Sequence, residues 1–260
     1  MTIDYSVTEA VATVCLNRPD ARNAMDMRLI EDFLGAARQI ASDSSIRAVL
    51  LCGNGPALTV GGDVDYFRSD SDDRFGDRLA QLAAPLHEAF RVLGRIDAPI
   101  VTAAHGAVAG AGLGLVYAAD LVLAAEDTKF VTAFAALGLS GDGGGTWYLP
   151  RLIGERRAAE AYLRNRPLSA ADALEWGLVN EIVPGGELRE RAAALARELA
   201  AGPTRGFARI RTLLRDAWRN DLSAHLDAET EGLRHTGDTA DAVRAIKEFG
   251  SRRRPEFTGE

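Results

Sequence analysis

Residues 105–115 read HGAVAGAGLGL, and residues 120–150 read DLVLAAEDTKFVTAFAALGLSGDGGGTWYLP. The first stretch follows an apolar run, residues 99–104, that predicts a buried strand, and its glycines open a run of small residues that predicts a helix. The second stretch holds two further strand-like runs and ends in a glycine-rich bend before a helix. Short strands that alternate with glycine bends and helices indicate a mixed α/β fold.

The same alternation extends over the rest of the chain. Apolar residues at helical spacing predict helices over residues 26–42, 79–96, 111–118, 146–153 and 169–176. Strand-like runs occupy residues 10–16, 48–52, 121–125, 129–132 and 179–183. Residues 66–75 are rich in Asp and Ser and predict a mobile surface segment. From residue 187 onward the pattern is helical, so we expect a core of residues 1–195 and a helical segment of residues 196–260. Periodicity alone leaves a spiral and a doubly wound sheet equally open.

Composition excludes several classes of protein. The chain has 260 residues, 47% of them hydrophobic, with a formal net charge of −7. Its one basic run, Arg252 to Arg254, is short, so no nucleic-acid partner is expected. No apolar stretch is long enough for a membrane span, and the start of the sequence does not have the pattern of a secretory leader, which predicts a cytoplasmic protein without a membrane partner. Cys15 and Cys52 lie in strand-like runs and are interpreted as small core residues rather than a disulfide.

Two glycine-rich segments are candidates for binding a carbonyl oxygen. Gly61 and Gly62 precede Asp63, and residues 109–114 (AGAGLG) open a helix. Backbone N–H groups in such segments can approach a ligand without a side chain in the way, and two that converge form an oxyanion hole. The alternative is that the glycines only allow tight turns. Asp63 is interpreted as an Asx-type cap of its loop.

Several segments together resemble the enoyl-CoA hydratase/isomerase (crotonase) family. They are LNRPDARNAMD at residues 16–26, ALTVGGDV at 57–64, HGAVAGAGLGL at 105–115, LSAADALEWGLVNEIVP at 168–184 and RRRPEFTG at 252–259. The resemblance covers nearly the whole chain. It implies an α/β crotonase fold, a spiral of repeated ββα units, followed by a helical trimerisation segment. It also implies a homotrimer or homohexamer, in which apolar residues of the helical segment cover one another: Ile210, Leu213, Leu214, Trp218, Leu222 and Leu226.

The resemblance further implies an acyl-CoA thioester as the small-molecule partner. No separate cofactor is expected, because coenzyme A is part of the substrate, and no metal is expected, because the histidines have no metal-ligand spacing. The oxyanion-hole N–H groups would belong to Gly62 and Ala111. Contacts with the substrate or its CoA portion are implied for Arg22, Asn23, Ala24, Val60, Gly61, Asp63, Val64, Gly110, Gly114, Phe134 and Phe257.

The chain departs from the hydratases of this family at two positions. Gly114 and Phe134 stand where those enzymes carry glutamates. Hydration needs one group to activate water and usually another to deliver a proton. The sequence therefore predicts that ordinary hydration is slow or absent, and leaves a hydratase with atypical residues as an alternative.

Asp142 is the remaining candidate for acid–base chemistry. Its surroundings, LGLSGDGGGTWYLPRLIG, resemble the ring-opened phenylacetyl-CoA isomerases, which also isomerise enoyl-CoA double bonds with one aspartate. This resemblance implies that Asp142 moves a proton between C2 and C4 of an enoyl-CoA. The alternative from the residues alone is that Asp142 caps the helix that follows the three glycines.

Two other functions stay open. FVTAF followed by Asp142 also resembles the aryl-CoA dehalogenases, in which an aspartate attacks a ring carbon with help from a histidine; His87 falls near the matching place. A tryptophan is usual there at the position of Phe134, and a single histidine on a helix is usually solvated or packed. A non-catalytic acyl-CoA binder is the remaining alternative. His105, His225 and His235 have no metal-ligand spacing and no Ser or Cys partner.

Overall fold

The computed structural model describes residues 1–68, 74–250 and 255–260. The strands are β1 (Ile3–Thr8), β2 (Val11–Leu16), β3 (Ala48–Gly53), β4 (Ile100–Ala104), β5 (Ala107–Ala109), β6 (Leu121–Ala125), β7 (Lys129–Val131), β8 (Leu168–Ser169) and β9 (Glu181–Val183). The helices are α1 (Met27–Ser42), α2 (Val64–Arg68), α3 (Phe75–Leu93), α4 (Gly114–Tyr117), α5 (Gly145–Ile153), α6 (Glu155–Arg164), α7 (Ala170–Glu175), α8 (Leu188–Ala200), α9 (Thr204–Asp216), α10 (Leu222–Gly237) and α11 (Ala240–Glu248).

The strands form two sheets. In the first, the order is β1-β2-β3-β4-β6-β9, and every pair except the antiparallel β1–β2 hairpin is parallel. In the second, β7 lies between β5 and β8. The parallel pairs require crossover connections, which the helices provide.

The chain alternates between the two sheets and then crosses over through a helix. β4 is followed by β5 and α4, and β6 is followed by β7 and α5. After β3, Thr59 forms an isolated parallel bridge with Val108 of β5, and α3 follows. These three ββα turns form a spiral, so the open choice between a spiral and a doubly wound sheet is resolved.

Side chains alternate between two apolar cores on either side of β3, which is buried along its whole length. Val49 and Leu51 pack in the larger core with Phe33 of α1, whereas Leu50 and Cys52 face the smaller core. Because successive strand residues point to opposite faces, a strand covered on both sides reads as a continuous apolar run.

Helix α8 covers the second face of the first sheet. Its buried residues are Leu188, Ala192, Ala196 and Ala200, spaced four residues apart along one stripe. Alanine on this stripe lets the helix backbone approach the strands closely. The predicted boundary between residues 195 and 196 falls inside α8, and the division of the chain into two units stays a prediction.

Helix α9 is attached to the spiral by a buried cation. Arg211 is 6% exposed, and its Nε lies 2.7 Å from Oδ2 of Asp120, which also accepts a hydrogen bond from the Ile100 N–H. Arg211 Nη1 also donates to the Ile96 carbonyl oxygen. In contrast, Leu214 of α9 and Leu222 of α10 are 66% and 74% exposed.

The structure confirms most of the predicted elements and corrects several. Asp26 caps α1 by accepting a hydrogen bond from the Leu29 N–H at 2.8 Å, and Ser169 caps α7. Strands β5 and β8 and helices α2 and α6 are absent from the sequence prediction, and the helix predicted over residues 111–118 is a 3-10 turn followed by the short α4. The surface segment predicted at residues 66–75 is helical at its ends, because residues 66–68 belong to α2 and residue 75 begins α3, and its mobility stays a prediction. Residues 69–73 and the basic run at 252–254 lie outside the described residues. Among the helices described, none has the length and apolar character to cross a membrane.

Candidate active site

A cavity of about 350 Å³ lies where the glycine loops, α1, α3 and the bend before α5 meet. Its walls are mostly apolar, with Leu82 and Leu86 of α3 on one side and Phe134 and Leu139 on the other. Of the described residues that line it, Asp142 is the one with an ionisable side chain. An apolar cavity with one polar group of this kind is typical of a small-molecule site.

The first glycine loop is held in place by backbone pairing with Met25. The Met25 N–H donates to the Gly61 carbonyl oxygen at 2.7 Å, and the Asp63 N–H donates to the Met25 carbonyl oxygen at 3.1 Å. These two hydrogen bonds use the Gly61 carbonyl oxygen and the Asp63 N–H, and neither of them uses the Gly62 N–H. Gly62 lines the cavity, and the use of its N–H as an oxyanion donor stays a prediction.

The two glycine loops pack backbone against backbone. Gly61 has φ of +84°, and a Cβ there would lie 2.7 Å from the Ala109 carbonyl oxygen, so only glycine fits. Gly110 also has positive φ, of +54°, and a Cβ there would lie 3.9 Å from the Gly61 Cα. This close approach brings Gly62 and Ala111 to the same cavity, as the oxyanion-hole interpretation requires.

The loop of residues 22–24 runs beside the first glycine loop. The Val60 N–H donates to the Arg22 carbonyl oxygen at 3.2 Å, and the Arg22 side chain is exposed. Asn23 is fully buried, and its Nδ2 donates to the Asn54 carbonyl oxygen at 2.9 Å. The Asn23 side chain therefore braces the loop from inside, and Ala24 is buried beside it. Contact with CoA stays a prediction for this loop.

Asp63 caps its own loop, as predicted. Its Oδ1 accepts hydrogen bonds from the backbone N–H groups of Asp65 at 3.1 Å and Tyr66 at 3.2 Å. Its Oδ2 lies 3.1 Å from Nη1 of Arg18. The carboxylate is thus occupied in holding the start of α2, whose first residue, Val64, lines the cavity.

Asp142 contacts a histidine instead of capping α5. The N-cap of α5 is Gly144, with φ of +79° and no side-chain cap, so the alternative interpretation of Asp142 as a helix cap is wrong. Oδ1 of Asp142 lies 2.5 Å from Nε2 of His87 on α3. The bend also packs on the second glycine loop, since a Cβ at Gly143 would lie 2.7 Å from the Ala111 carbonyl oxygen. Asp142 is therefore held beside both Ala111 and His87.

Tyr162 of α6 supports the bend from behind. Its ring stacks on Phe134 with centroids 6.4 Å apart. Burial and then the negative charge of Asp142 raise the pKa of Tyr162 to about 12, so the phenol stays neutral. Sequence reasoning missed Tyr162, since α6 itself was not predicted. It also took His87 for an ordinary helix residue, and only the resemblance to dehalogenases singled it out.

Comparison with known proteins agrees with this geometry. A sequence model of the enoyl-CoA hydratase/isomerase family matches residues 6–260. The chain belongs to the enoyl-CoA hydratase/isomerase family. It is 35% identical to the 1,2-epoxyphenylacetyl-CoA isomerase of Escherichia coli strain K12 over 98% of this chain and 97% of that protein. It is 30% identical to 4-chlorobenzoyl coenzyme A dehalogenase-2 of an Arthrobacter species, over 89% of this chain and 84% of that one.

The fold is shared with solved structures of the same family. The crystal structure of an enoyl-CoA hydratase from Bacillus anthracis superimposes with a TM-score of 0.93 and 26% sequence identity, and the match covers 100% of both chains. The two-sheet spiral is therefore the crotonase fold, as the sequence resemblance implied. Relatives named isomerase, dehalogenase and hydratase share it, so the fold does not select the reaction.

Gly114 and Phe134 stand where the hydratases of the enoyl-CoA hydratase/isomerase family carry glutamates, and their surroundings differ. Gly114 is buried, and a Cβ there would lie 2.3 Å from Cζ of Phe90, so the Phe90 ring fills the space a side chain would need. Phe134 lines the cavity, whereas Gly114 does not.

Phe257 is not among the residues of this chain that line the cavity. Its carbonyl oxygen accepts a hydrogen bond from Arg47 Nη2 at 3.0 Å. The contact of Phe257 with a nucleotide stays a prediction.

In the part of the chain that the structure describes, no three His, Cys, Asp or Glu residues are grouped as metal ligands would be.

Proposed function

We propose that the protein isomerises the double bond of an enoyl-CoA thioester, with Asp142 as the acid–base residue. The observation that carries the proposal is that Asp142 is the one ionisable side chain among the described residues of an apolar cavity that also includes Gly62 and Ala111. One carboxylate is enough for a reaction in which the same proton leaves and returns.

In this proposal the Asp142 carboxylate removes a proton from C2 of a 3-enoyl-CoA. The electron pair moves through the double bond system to the thioester oxygen, which gives a dienolate. Protonated Asp142 then returns the proton at C4, which leaves a 2-enoyl-CoA. No water and no cofactor enter the balance, and CoA takes part only as the group that carries the acyl chain.

The charge of the dienolate would be stabilised by the N–H groups of Gly62 and Ala111. Two preorganised donors in an apolar site stabilise a developing oxyanion by about 3–4 kcal/mol for each donor. The relative named 1,2-epoxyphenylacetyl-CoA isomerase supports a thioester with a ring-derived acyl group as the substrate. An aliphatic thioester remains the alternative.

Ordinary hydration fits the site less well. It needs a group to activate water and a second to protonate the substrate, and the described lining residues of the cavity offer one carboxylate. The Phe90 ring occupies the space beside Gly114, and Phe134 is apolar.

Hydrolytic dehalogenation of an aryl-CoA is a second candidate because of the contact between His87 and Asp142. In that reaction Asp142 would attack the ring carbon and expel halide, and His87 would then activate water to hydrolyse the ester. The Nε2 to Oδ1 distance of 2.5 Å and the dehalogenase relative favour this candidate. Phe134 disfavours dehalogenation, because the aryl-CoA dehalogenases usually have tryptophan at this position.

We further propose that the loops at residues 22–24 and 60–64 carry the CoA contacts and that the protein assembles through α9 and α10. Exposed apolar side chains on these helices, such as Leu214 and Leu222, support a homotrimer or homohexamer.

An assay of the purified protein against four substrates separates these functions. A 3-enoyl-CoA reports isomerisation, 4-chlorobenzoyl-CoA reports chloride release, and crotonyl-CoA reports hydration; an epoxidised phenylacetyl-CoA forms a fourth arm. We expect turnover of the 3-enoyl-CoA or the epoxide without chloride release. Chloride release without isomerisation would favour the second candidate. Tight acyl-CoA binding without any turnover would leave a non-catalytic binder.

A further inference from the structure

Two free cysteines lie side by side on neighbouring strands, away from the acyl-CoA cavity. Cys15 of β2 is directly opposite Cys52 of β3 in the parallel register, and both side chains face the core under α8. Neighbouring strands are about 4.8 Å apart. This lies within the range of Cα separations, about 4.4–6.8 Å, that a disulfide can join.

Arg189 of α8 places a positive charge on this pair. Its Nη2 lies 2.7 Å from Sγ of Cys15 and 3.5 Å from Sγ of Cys52. Two acidic side chains lie near the group. Asp4 accepts a hydrogen bond from Asn54, which also contacts Arg189, and Asp127 lines the same cleft as Cys52 and Arg189. A guanidinium beside a thiol favours its thiolate, which is the reactive form of cysteine.

The two thiols differ in acidity: the pKa of Cys15 is lowered and the pKa of Cys52 is raised. A dithiol that reacts with peroxide needs one thiol that ionises readily. The hydrogen bond from Cys52 lowers the pKa of Cys15, and Arg189 adds to this effect against the opposing effect of burial. The same hydrogen bond, together with burial, raises the pKa of Cys52. The geometry agrees with this direction, because Arg189 lies closer to Cys15 than to Cys52, so Cys15 is the candidate nucleophile once the proton it shares with Asn54 Oδ1 is lost.

Access to the pair is narrow. Cys52 and Arg189 line an open cleft of about 470 Å³ on the surface, but Cys15 and Cys52 themselves are only 4% and 3% exposed. Cys52 lines this cleft and Cys15 lies directly behind it, opposite Cys52 in the strand pairing, so an oxidant must be small to reach the pair, and a bulky disulfide such as oxidised glutathione is excluded.

We propose that Cys15 and Cys52 are a peroxide-sensitive dithiol, a redox modification site separate from the acyl-CoA cavity. The Cys15 thiolate attacks one oxygen of a small hydroperoxide, which forms Cys15 sulfenic acid and expels hydroxide or alkoxide. The Cys52 thiol then attacks the Cys15 sulfur, and water leaves. One peroxide is reduced, the two thiols are oxidised to one disulfide, and the proton of Cys52 departs with the water.

The test uses the full chain in its reduced form. It is exposed to an equimolar amount of hydrogen peroxide, the excess is removed with catalase, and the protein is unfolded and alkylated for mass analysis. We expect both thiols to disappear together, with a peptide that links Cys15 to Cys52, and recovery with dithiothreitol. Oxidised glutathione should leave the thiols free. Two alkylated cysteines after peroxide, or overoxidation of one cysteine without a link, would overturn the proposal.

Variants test the role of the arginine. Arg189→Gln should slow disulfide formation by about tenfold or more, because less Cys15 is present as thiolate. Arg191→Gln is the matched control, since Arg191 lies on the same helix but pairs with Glu181 on the surface. Thermal unfolding verifies that both variants are folded. Equal oxidation rates for Arg189→Gln and the unaltered protein would contradict the assignment. Cys15→Ser should leave Cys52 as a thiol.

Discussion

Nε2 of His87 lies 2.5 Å from Oδ1 of Asp142, although 55 residues separate them in the chain. His87 comes from α3, and Asp142 from the bend before α5, so the contact depends on how the first and third turns of the spiral pack. Whichever of the candidate reactions the protein performs, this contact fixes the direction of the Asp142 carboxylate.

His87→Ala should lower kcat for isomerisation by about 10- to 100-fold, because a hydrogen bond to a charged group contributes about 1.5–3 kcal/mol. KM should change little, since His87 is not among the residues lining the cavity. Steady-state kinetics measure both constants, and Glu88→Gln on the same helix is the control. An unchanged kcat, or an effect confined to KM, would show that the contact does not position Asp142.

The Phe90 ring should prevent the single substitution Gly114→Glu from giving the protein hydratase activity. Gly114→Glu should lower the free energy of unfolding by about 1–3 kcal/mol, the usual cost of overpacking a core. It should not produce hydration of crotonyl-CoA. Urea unfolding and a hydration assay measure the two effects, with Gly114→Glu/Phe90→Ala as the variant in which space is available. A stable Gly114→Glu protein with high hydration activity would refute the packing argument.

Gly62→Pro removes one N–H that the pairing with Met25 does not use. If that N–H is an oxyanion donor, kcat should fall by about 10²–10³-fold. Gly62→Ala keeps the N–H and serves as the control. Circular dichroism checks that the loop substitution has not unfolded the protein. Equal activity of a folded Gly62→Pro variant would remove Gly62 from the oxyanion hole.

The ion pair between Arg211 and Asp120 should matter more for stability than an exposed pair. Arg211→Met leaves the Asp120 carboxylate without its buried partner and should cost about 3 kcal/mol, at the low end for broken buried pairs because Asp120 is partly exposed. Arg191→Met breaks the exposed pair with Glu181 and should cost less than about 1 kcal/mol. Denaturant titration compares the two, and equal losses would contradict this ranking.

The exposed apolar residues of α9 and α10 predict an oligomer. Static light scattering at micromolar concentration should give about three or six times the chain mass of 27.8 kDa. Leu214→Glu/Leu222→Glu should shift the mass toward that of one chain. A monomer in the unaltered protein would mean that the exposed side chains have another role.

Much of the fold was predictable because its signals are local. The buried strand β3 and the amphipathic α1 have strong periodicity, and Asp26 is an obvious helix cap. The family resemblance supplied the spiral and the place of Gly62 and Ala111. Helix α6 was missed because it buries only Ala158 and Ala161 and has no large apolar stripe.

The parts that sequence reasoning missed depend on distant contacts. An aspartate before three glycines can cap the following helix or line a cavity, and only the structure shows that Gly144 is the N-cap of α5 and that Asp142 contacts His87. Likewise, the Cys15 and Cys52 side chains were correctly predicted to be buried, but their shared contact with Arg189 depends on how α8 crosses the sheet. No periodicity carries such information.

The rate of isomerisation by Asp142→Asn tests the central claim most directly. Glu160→Gln, which makes the same change in charge on the surface of α6, is the control. With the 3-enoyl-CoA as substrate, Asp142→Asn should lose about 10²–10⁴-fold in kcat, the range for removal of a general acid–base group, while acyl-CoA binding measured by calorimetry is retained. A folded Asp142→Asn protein with near-normal turnover would contradict the account.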